Sequence, residues 1–316
     1  MGSRLLSLLS ETWPPKPKWT TDDIPNLARK VMIVTGGNAG IGKETVKALL
    51  EHNAKVYLAA RNQVRAETAI KDLREKTGKD AIWLKLDLAD LRSVKGAAEE
   101  FRRKESQLDV LFNNAGVMGA KFEDLTAQGY DLQFGTNVLG HFYLTKLLLP
   151  TLISTATKSA DGKARVVNTS SSGHHGVQTL DFSLYQDSPA RRKIKSSSAG
   201  TYLHSKFANI LFSNELARRY GDQGIVSTSL DPGTVSTDIT RTLPPMTKFI
   251  IKTFLMYPVE LGALTQLRAG TSPEGAEMNG QYLVPWARVG KPSAATEDQK
   301  QSEELWNWLE EQVKGI

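Results

Sequence analysis

This 316-residue sequence predicts an α/β protein built on a single doubly wound parallel sheet, with helices covering both faces. Two observations carry that expectation. Short apolar runs alternate with amphipathic segments from Lys30 onward, and a glycine-rich turn follows the first run directly. Strands that alternate with helices need a parallel sheet, because each crossover lays a helix on one face or the other.

Taken in order, "KVMIVTGG" is a buried strand leading into the glycine turn, and Ile41–Glu51 is a helix. "AKVYLAAR" is a second strand and Val64–Lys76 a second helix. "AIWLKLDL" and "LDVLFNNAG" are further strands, separated by a helix over 90–105. A long helix is expected over 129–153, a strand at "ARVVNTSSS" and a helix over Ala199–Tyr220. "GIVSTSLDPG" and "GQYLVPW" complete the set.

Residues 1–29 read as an extended arm, carrying Trp13, Pro14, Pro15, Pro17 and Pro25, and 30–316 as one domain. Pro14-x-x-Pro17 also fits an SH3-type ligand, but an arm lying along the domain is favoured. Length alone would allow two domains; the short connections favour one. Inside the domain, 173–199 and 236–258 are read as a substrate flap and a lid.

Composition narrows the chemistry. A hydrophobic content of 40% supports a sizeable core, and the absence of cysteine excludes disulfides, thiolate metal sites and cysteine nucleophiles. The five histidines show no metal-ligand spacing, and His174 and His175 are expected to point to opposite sides of a strand, so no metal is expected. The net charge of +6 is modest, and its basic residues are dispersed apart from "RRKIK" at 191–195. That suits an anionic cofactor or an acidic lipid surface, and no nucleic-acid partner is expected.

No run reaches the ~18 apolar residues of a membrane span. The start, "MGSRLLSLLS", is too short and too serine-broken for a signal peptide, and Leu6 breaks the myristoylation pattern. A cytoplasmic location is expected. Weak membrane-surface contact through Leu5, Leu6, Leu8 and Leu9 is the alternative to their fraying or packing on the domain.

The turn "TGGNAGIG" places Gly36, Gly40 and Gly42 between a buried strand and a helix, with Asn38 and Ile41 among them. Glycines there let the backbone approach a pyrophosphate seated at a helix N-terminus, which is the Rossmann-type arrangement. NAD enzymes place a carboxylate at the end of the second strand to hold the ribose 2′-hydroxyl. Here that place is Ala60, followed by Arg61, whose guanidinium suits a 2′-phosphate. NADP(H) is therefore expected over NAD, against the alternative of a plain surface arginine.

Tyr202 and Lys206 lie one turn apart on a helix whose apolar stripe is Leu203, Phe207, Ile210, Leu211 and Leu216. Alone, the pair fits a catalytic unit no better than a half-buried tyrosine beside a snorkelling lysine. Four further islands at strand ends decide the matter: "LDL" at 86–88, "NNAG" at 113–116, "NTSSS" at 168–172 and "DPGTVST" at 231–237. With the glycine turn and "YLHSK", in this order, the chain resembles the short-chain dehydrogenase/reductase family from Lys30 to about Trp286. "VYLAARN", "GTNVLGHFYLT", "SKFANILFSNELARR" and "YLVPWA" look most like its retinol-dehydrogenase-like branch, which includes the WW-domain oxidoreductases.

The resemblance implies Tyr202 as general acid/base, Lys206 as its tuner and a binder of the nicotinamide ribose, and Ser171 as the hydrogen-bonder of the substrate carbonyl. Register leaves Ser170 as the fallback. Asn137 matches the asparagine that holds a water linking Lys206 to solvent. Asp87 and Leu88 match the adenine contacts, and Asn113 and Ala115 the region beside the adenine ribose. Pro232, Gly233, Val235 and Thr237 match the nicotinamide side. Bland alternatives stand beside these: Asn113 and Asn114 as turn residues, Ser171 as a strand-end cap.

The chemistry is a hydride transfer between nicotinamide and a carbonyl carbon, with a proton passing to or from the oxygen. A free tyrosine, with a pKa of about 10, is a poor base near neutrality, so neighbouring positive charge is needed to favour its phenolate. The apolar 249–256 segment, with Phe249, Ile250, Ile251, Phe254, Leu255 and Met256, suggests an apolar or aromatic aldehyde, ketone or alcohol. The 31 positions from Ser171 to Tyr202 suggest a flap, then an oligomer contact, then plain surface. A dinucleotide-binding sensor acting through a protein partner is the rival class. The family resemblance implies a homodimer or homotetramer built through the helices at 129–153 and 199–220.

Overall fold

The computed structural model describes residues 10–193, 198–235 and 257–316. Its strands are β1 (Val31–Thr35), β2 (Lys55–Ala60), β3 (Ile82–Lys85), β4 (Val110–Asn113), β5 (Ala164–Thr169), β6 (Ile225–Leu230), β7 (Tyr282–Val284) and β8 (Arg288–Gly290). They form one sheet in the order β3-β2-β1-β4-β5-β6-β7-β8, parallel except for the β7–β8 pair. All five residues of β1 are buried, as a central strand covered on both faces requires. The chain crosses from one half of the sheet to the other between β1 and β4, which opens the crevice where such sheets bind ligands.

The helices are α1 (Gly40–Glu51), α2 (Gln63–Thr77), α3 (Leu91–Lys104), α4 (Gly140–Ala156), α5 (Pro189–Lys193), α6 (Ser198–Tyr220), α7 (Val259–Thr271) and α8 (Gln299–Gln312). Side chains punctuate them. Asn62 accepts from the Arg65 N–H at 2.9 Å to start α2, and Gly78, at φ 71°, ends it. On one face of the sheet α1, α2 and α7 bury Val46, Leu49, Ala66, Leu73, Ala263 and Leu267. On the other, α3, α4, α6 and α8 bury Phe101, Phe142, Leu148, Phe207, Phe212 and Leu305.

Several expectations change. The arm is not simply extended: it turns at Thr21–Asp23 and buries Ile24 and Leu27 in the core, so it is packed along the domain. The helix expected over 129–153 starts at Leu132, where the Asp131 side chain caps it by accepting the Gln133 and Phe134 N–H groups at 3.0 and 2.8 Å. It then passes through a π turn at Gly135–Leu139 before continuing as α4. The strand "ARVVNTSSS" stops at Thr169, because Ser171 folds back to accept the Gly173 N–H at 3.2 Å. His174 and His175 therefore sit in one 3-10 turn, Ser172–Gly176, with ring centroids 3.9 Å apart, and not on opposite sides of a strand.

The 173–199 segment is anchored where it is described. Tyr185 is fully buried, stacked on Phe134 at 3.6 Å, and hydrogen-bonded to His204 Nδ1 at 2.5 Å. Arg191 pairs with buried Asp131 at 3.1 Å and lies over the Phe122 ring. Residues 194–197 of that segment, and 236–256 of the lid, lie outside the described residues.

Helix α8 was not expected. It packs across α4 and α6, with Trp306 against Phe142, Phe212 and Tyr220, and Glu310 paired with Lys146. These are the helices through which copies of the chain are expected to pair. Among the described residues the exposed large apolar side chains are Trp13, Val64 and Val289, none of them on α4 or α6. Helix α8 thus occupies part of the surface expected to pair copies of the chain. A dimer whose α4 and α6 amides gain protection from hydrogen exchange on association would show that the rest of that surface pairs them.

Candidate active site

The glycine turn closes against β4. Gly36, at φ +67°, donates its N–H to the Ala59 carbonyl at 2.8 Å, and Gly40 sits at φ +52°. A Cβ at Gly42 would stand 2.6 Å from Asn114 Nδ2, so only glycine lets α1 approach this closely. Ala39, the N-cap of α1, has no side chain to satisfy the first N–H groups of the helix. Those donors and the helix dipole fit the pyrophosphate of a dinucleotide. Asn38, Gly40 and Ile41 are half-buried at the rim, and Ile41 also packs against α7 near Gly262.

Thr35, at the carboxyl end of β1, binds these pieces together. Its hydroxyl oxygen accepts the N–H groups of Asn114 and Ala115, each at 2.9 Å, and lies 2.8 Å from His141 Nε2. His141 Nδ1 is 3.0 Å from the Asn137 carbonyl, which can only accept, so Nδ1 carries the proton and Thr35 donates to Nε2. Burial pushes His141 down to about 4, which keeps the ring neutral.

Arg61 is exposed immediately beyond β2. Asp87 is half-buried, its carboxylate accepting the Ala89 N–H at 3.0 Å. Two expected cofactor contacts have buried side chains. The Leu88 side chain lies in the core, and its carbonyl packs against Gly140 at the start of α4. Asn113 is buried within the sheet, donating to Thr145 and to Asn168 Oδ1 at 3.0 and 2.9 Å, because its strand position turns the amide between β4 and β5. Its neighbour Asn114, donating to the Thr35 carbonyl at 2.8 Å, is the asparagine that shapes the turn.

Helix α6 brings Tyr202 and Lys206 beside the end of β5. Ser170 is buried and donates to the Lys206 carbonyl at 2.6 Å, which fixes the register. The Ser171 hydroxyl is hydrogen-bonded to Tyr202. A side chain at Gly173 would meet both groups, with its Cβ 3.6 Å from Ser171 Oγ and 3.9 Å from Tyr202 Cε1. Burial pushes Tyr202 up to about 12; the Ser171 bond pulls it down, and the Asp231 charge adds to the rise. Lys206 Nζ donates to the Thr169 carbonyl at 3.0 Å and lies 5.7 Å from the Tyr202 ring centroid. Burial brings Lys206 down to about 8, against the pull of Asp231.

Asn137 lies in the π turn, fully buried. Its amide accepts the Val117 N–H at 2.8 Å and donates to Val117 O and Ser205 Oγ at 3.1 and 2.9 Å. That side chain is thus spent on clamping the "NNAG" loop to α6. Past β6, Asp231 is buried and Pro232, Gly233 and Val235 follow in a turn against Trp286. Thr237 lies outside the described residues.

Sequence reasoning passed over Thr35, Asn114, His141 and Asp231. All four stand inside stretches already singled out, but Thr35 and His141 are 106 positions apart and no spacing rule joins them. Among the described residues there is no group of three or more histidine, aspartate or glutamate side chains arranged to hold a metal ion, and no helix is long and apolar enough to cross a membrane.

A family profile described as short chain dehydrogenase matches residues 30–188. A short-chain dehydrogenase/reductase of Armillaria gallica is 56% identical over 98% of both chains, and one of Phomopsis amygdali is 40% identical over 96% of both. Among solved structures, a Mycobacterium paratuberculosis protein superposes with a TM-score of 0.73 at 29% identity, covering 94% of this chain and 97% of that one. Pseudomonas aeruginosa RhlG, solved as an NADP active-site complex, gives a TM-score of 0.65 at 26% identity over 82% of this chain and 95% of its own. The ordered motifs, the sheet order and these matches agree: the chain is an oxidoreductase of the short-chain dehydrogenase/reductase family.

Proposed function

We propose that this oxidoreductase uses NADP(H) and reduces apolar or aromatic aldehydes and ketones, with Tyr202 as the proton donor, the matching alcohol oxidation being the reverse. The observation that carries the reading is the Ser171–Tyr202–Lys206 cluster, in which Tyr202 stands as a neutral phenol at neutral pH. A carbonyl reductase needs a proton to give. When bound, the reduced nicotinamide supplies the hydride. Ser171 orients the substrate oxygen, Tyr202 transfers its phenolic proton to that oxygen as negative charge develops there, and the Lys206 ammonium stabilises the phenolate left behind.

For the cofactor, the absence of a carboxylate at Ala60 and the exposed Arg61 favour a 2′-phosphate, and RhlG, a structural relative, was solved with NADP. For the substrate, support comes from the apolar 249–256 sequence and from the likeness to the retinol-dehydrogenase-like branch. A small-molecule substrate follows from the family. A sensor acting through a protein partner has no need of an assembled serine, tyrosine and lysine, so it ranks second.

Reduced-nicotinamide absorbance with a panel of apolar carbonyls tests the reading. Tyr202→Phe is expected to lose on the order of 10²–10⁴-fold in kcat while still binding NADPH by fluorescence titration. If it keeps the wild-type rate, the assignment is wrong. Arg61→Ala is expected to weaken NADPH by on the order of 10- to 100-fold and to leave NADH unchanged, since charged hydrogen bonds contribute about 1.5–3 kcal/mol. The pH profile offers a third check. Because Lys206 sits at about 8, reduction is expected to decline as the pH rises through that value. Lys206→Arg, which stays charged, is expected to abolish that alkaline limb whatever its absolute rate.

A further inference from the structure

Behind the Ser171 turn lies a buried cluster of ionisable groups drawn from separate parts of the chain. Glu11, on the N-terminal arm, is 2% exposed, and its Oε1 is 3.4 Å from His175 Nε2. The His175 ring leans on His174, which donates from Nδ1 to the Ser171 carbonyl at 2.7 Å and accepts the Ser293 N–H at Nε2 at 3.0 Å. Asp231 accepts the Gly233 N–H at 3.0 Å and also the Ser172 N–H, so one carboxyl ties the serine turn to the turn on the nicotinamide side. Tyr282 closes the cluster from β7, its ring 5.1 Å from His174. Arg288, on β8, donates to the Ser10 carbonyl at 2.8 Å, next to Glu11 in the arm.

Glu11 is a poor choice if the arm needs only anchoring. Trp19, Ile24 and Leu27 already pack the arm onto the core without burying a charge. A carboxyl taken out of water needs specific partners, and this one meets the His175 ring while lying close enough to a second buried carboxyl, Asp231, to act on its charge. We propose that Glu11 is a positioning residue of the active site: the arm inserts its carboxyl behind the Ser171 turn and, through His175 and Asp231, sets how Ser171 and the Gly233 turn face each other. The arm then belongs to the catalytic machinery, although Glu11 touches no reacting atom.

Electrostatics give the proposal a signature. Burial and the Glu11 charge push Asp231 up to about 7, while the Gly233 and Ser172 N–H groups and His175 pull it down. Among the described residues, Tyr202, Lys206 and Tyr282 also feel the Asp231 charge. A carboxyl raised in this way favours the fold in its neutral form. That contribution is complete below the ordinary carboxylate range and is lost as the pH rises through about 7. Removing the Glu11 charge lowers Asp231 and shrinks the loss.

The test compares Glu11→Gln with the wild-type full chain. The Tm difference, variant minus wild type, is expected to climb by on the order of 2 °C between about pH 5 and about pH 8. Trp13→Ala, on the same arm but 58% exposed, is expected to give a flat difference. In turnover with NADPH, any fall of kcat/KM on the acid side that follows Asp231 is expected to move to lower pH in Glu11→Gln, with the Lys206 limb unmoved, and to vanish in Asp231→Asn, which also moves the Lys206 limb to lower pH because the charge that raises Lys206 is gone. A flat Tm difference together with an unmoved acid limb would overturn the proposal. The role given to Ser171 rests on the reductase reading, but the stability readout needs no turnover, so failure of that reading and failure of this one are told apart.

Discussion

The hydroxyl of Thr35 is the constraint on which the carboxyl edge of the sheet depends. It accepts the Asn114 and Ala115 N–H groups, and its proton has His141 Nε2 at 2.8 Å and the Phe112 carbonyl at 3.2 Å within reach. Two half-buried N–H groups would otherwise lose their partner, at up to about 1–3 kcal/mol each. Through this one side chain the end of β1, the loop after β4 and helix α4 are fixed relative to one another. The glycine turn inherits its shape from that arrangement, because Gly36 and Gly42 can close only as far as Ala115 and Asn114 allow.

The same constraint reaches Lys206. His141 hangs on the Asn137 carbonyl, and Asn137 sits in a π turn, where the Gly140 N–H reaches back to the Gly135 carbonyl. Such a wide turn displaces the backbone from the regular helical path and presents a side chain that an α-helix would direct elsewhere. Asn137 uses the freedom to clamp both backbone groups of Val117 and to donate to Ser205, the residue before Lys206. The glycine turn and α6 are thus joined through neutral hydrogen bonds, and the low pKa of His141 keeps that ring uncharged.

What could be read in the sequence follows from the range of the interactions. Strand and helix periodicity is local, so β1 to β6 and helices α1 to α3 stand close to where the pattern puts them. The glycine turn, Tyr202 and Lys206 could be singled out because six short motifs stand in one order along the chain; the tyrosine–lysine spacing alone carried no such signal. The turn after β5 departs from the expected strand because the Ser171 hydroxyl accepts the N–H two residues further on, a competition that serine wins over strand pairing only at a strand end. Asn113 looked like a loop residue, and only the Asn168 amide on the neighbouring strand shows it to be an interior one. Helix α8 had its signal in Leu305, Trp306, Leu309 and Val313, a stripe at helical spacing, but its meaning depends on α4 and α6 being near.

The buried charges give the site a resting state. Asp231 raises both Tyr202 and Lys206, so one carboxylate resists a phenolate and supports an ammonium together. A phenol held neutral beside a charged lysine is poised to lose its proton to an incoming oxyanion, and the Ser171 bond already favours the phenolate that results. If Asp231 were protonated, both effects would weaken, and its bonds to the Ser172 and Gly233 N–H groups would lose their charge assistance. Geometry and protonation are therefore coupled at one carboxyl, which lies at the seam between the serine turn and the nicotinamide-side turn. Glu11 from the arm lies buried in the same neighbourhood, and after burial itself its charge does most to raise that carboxyl.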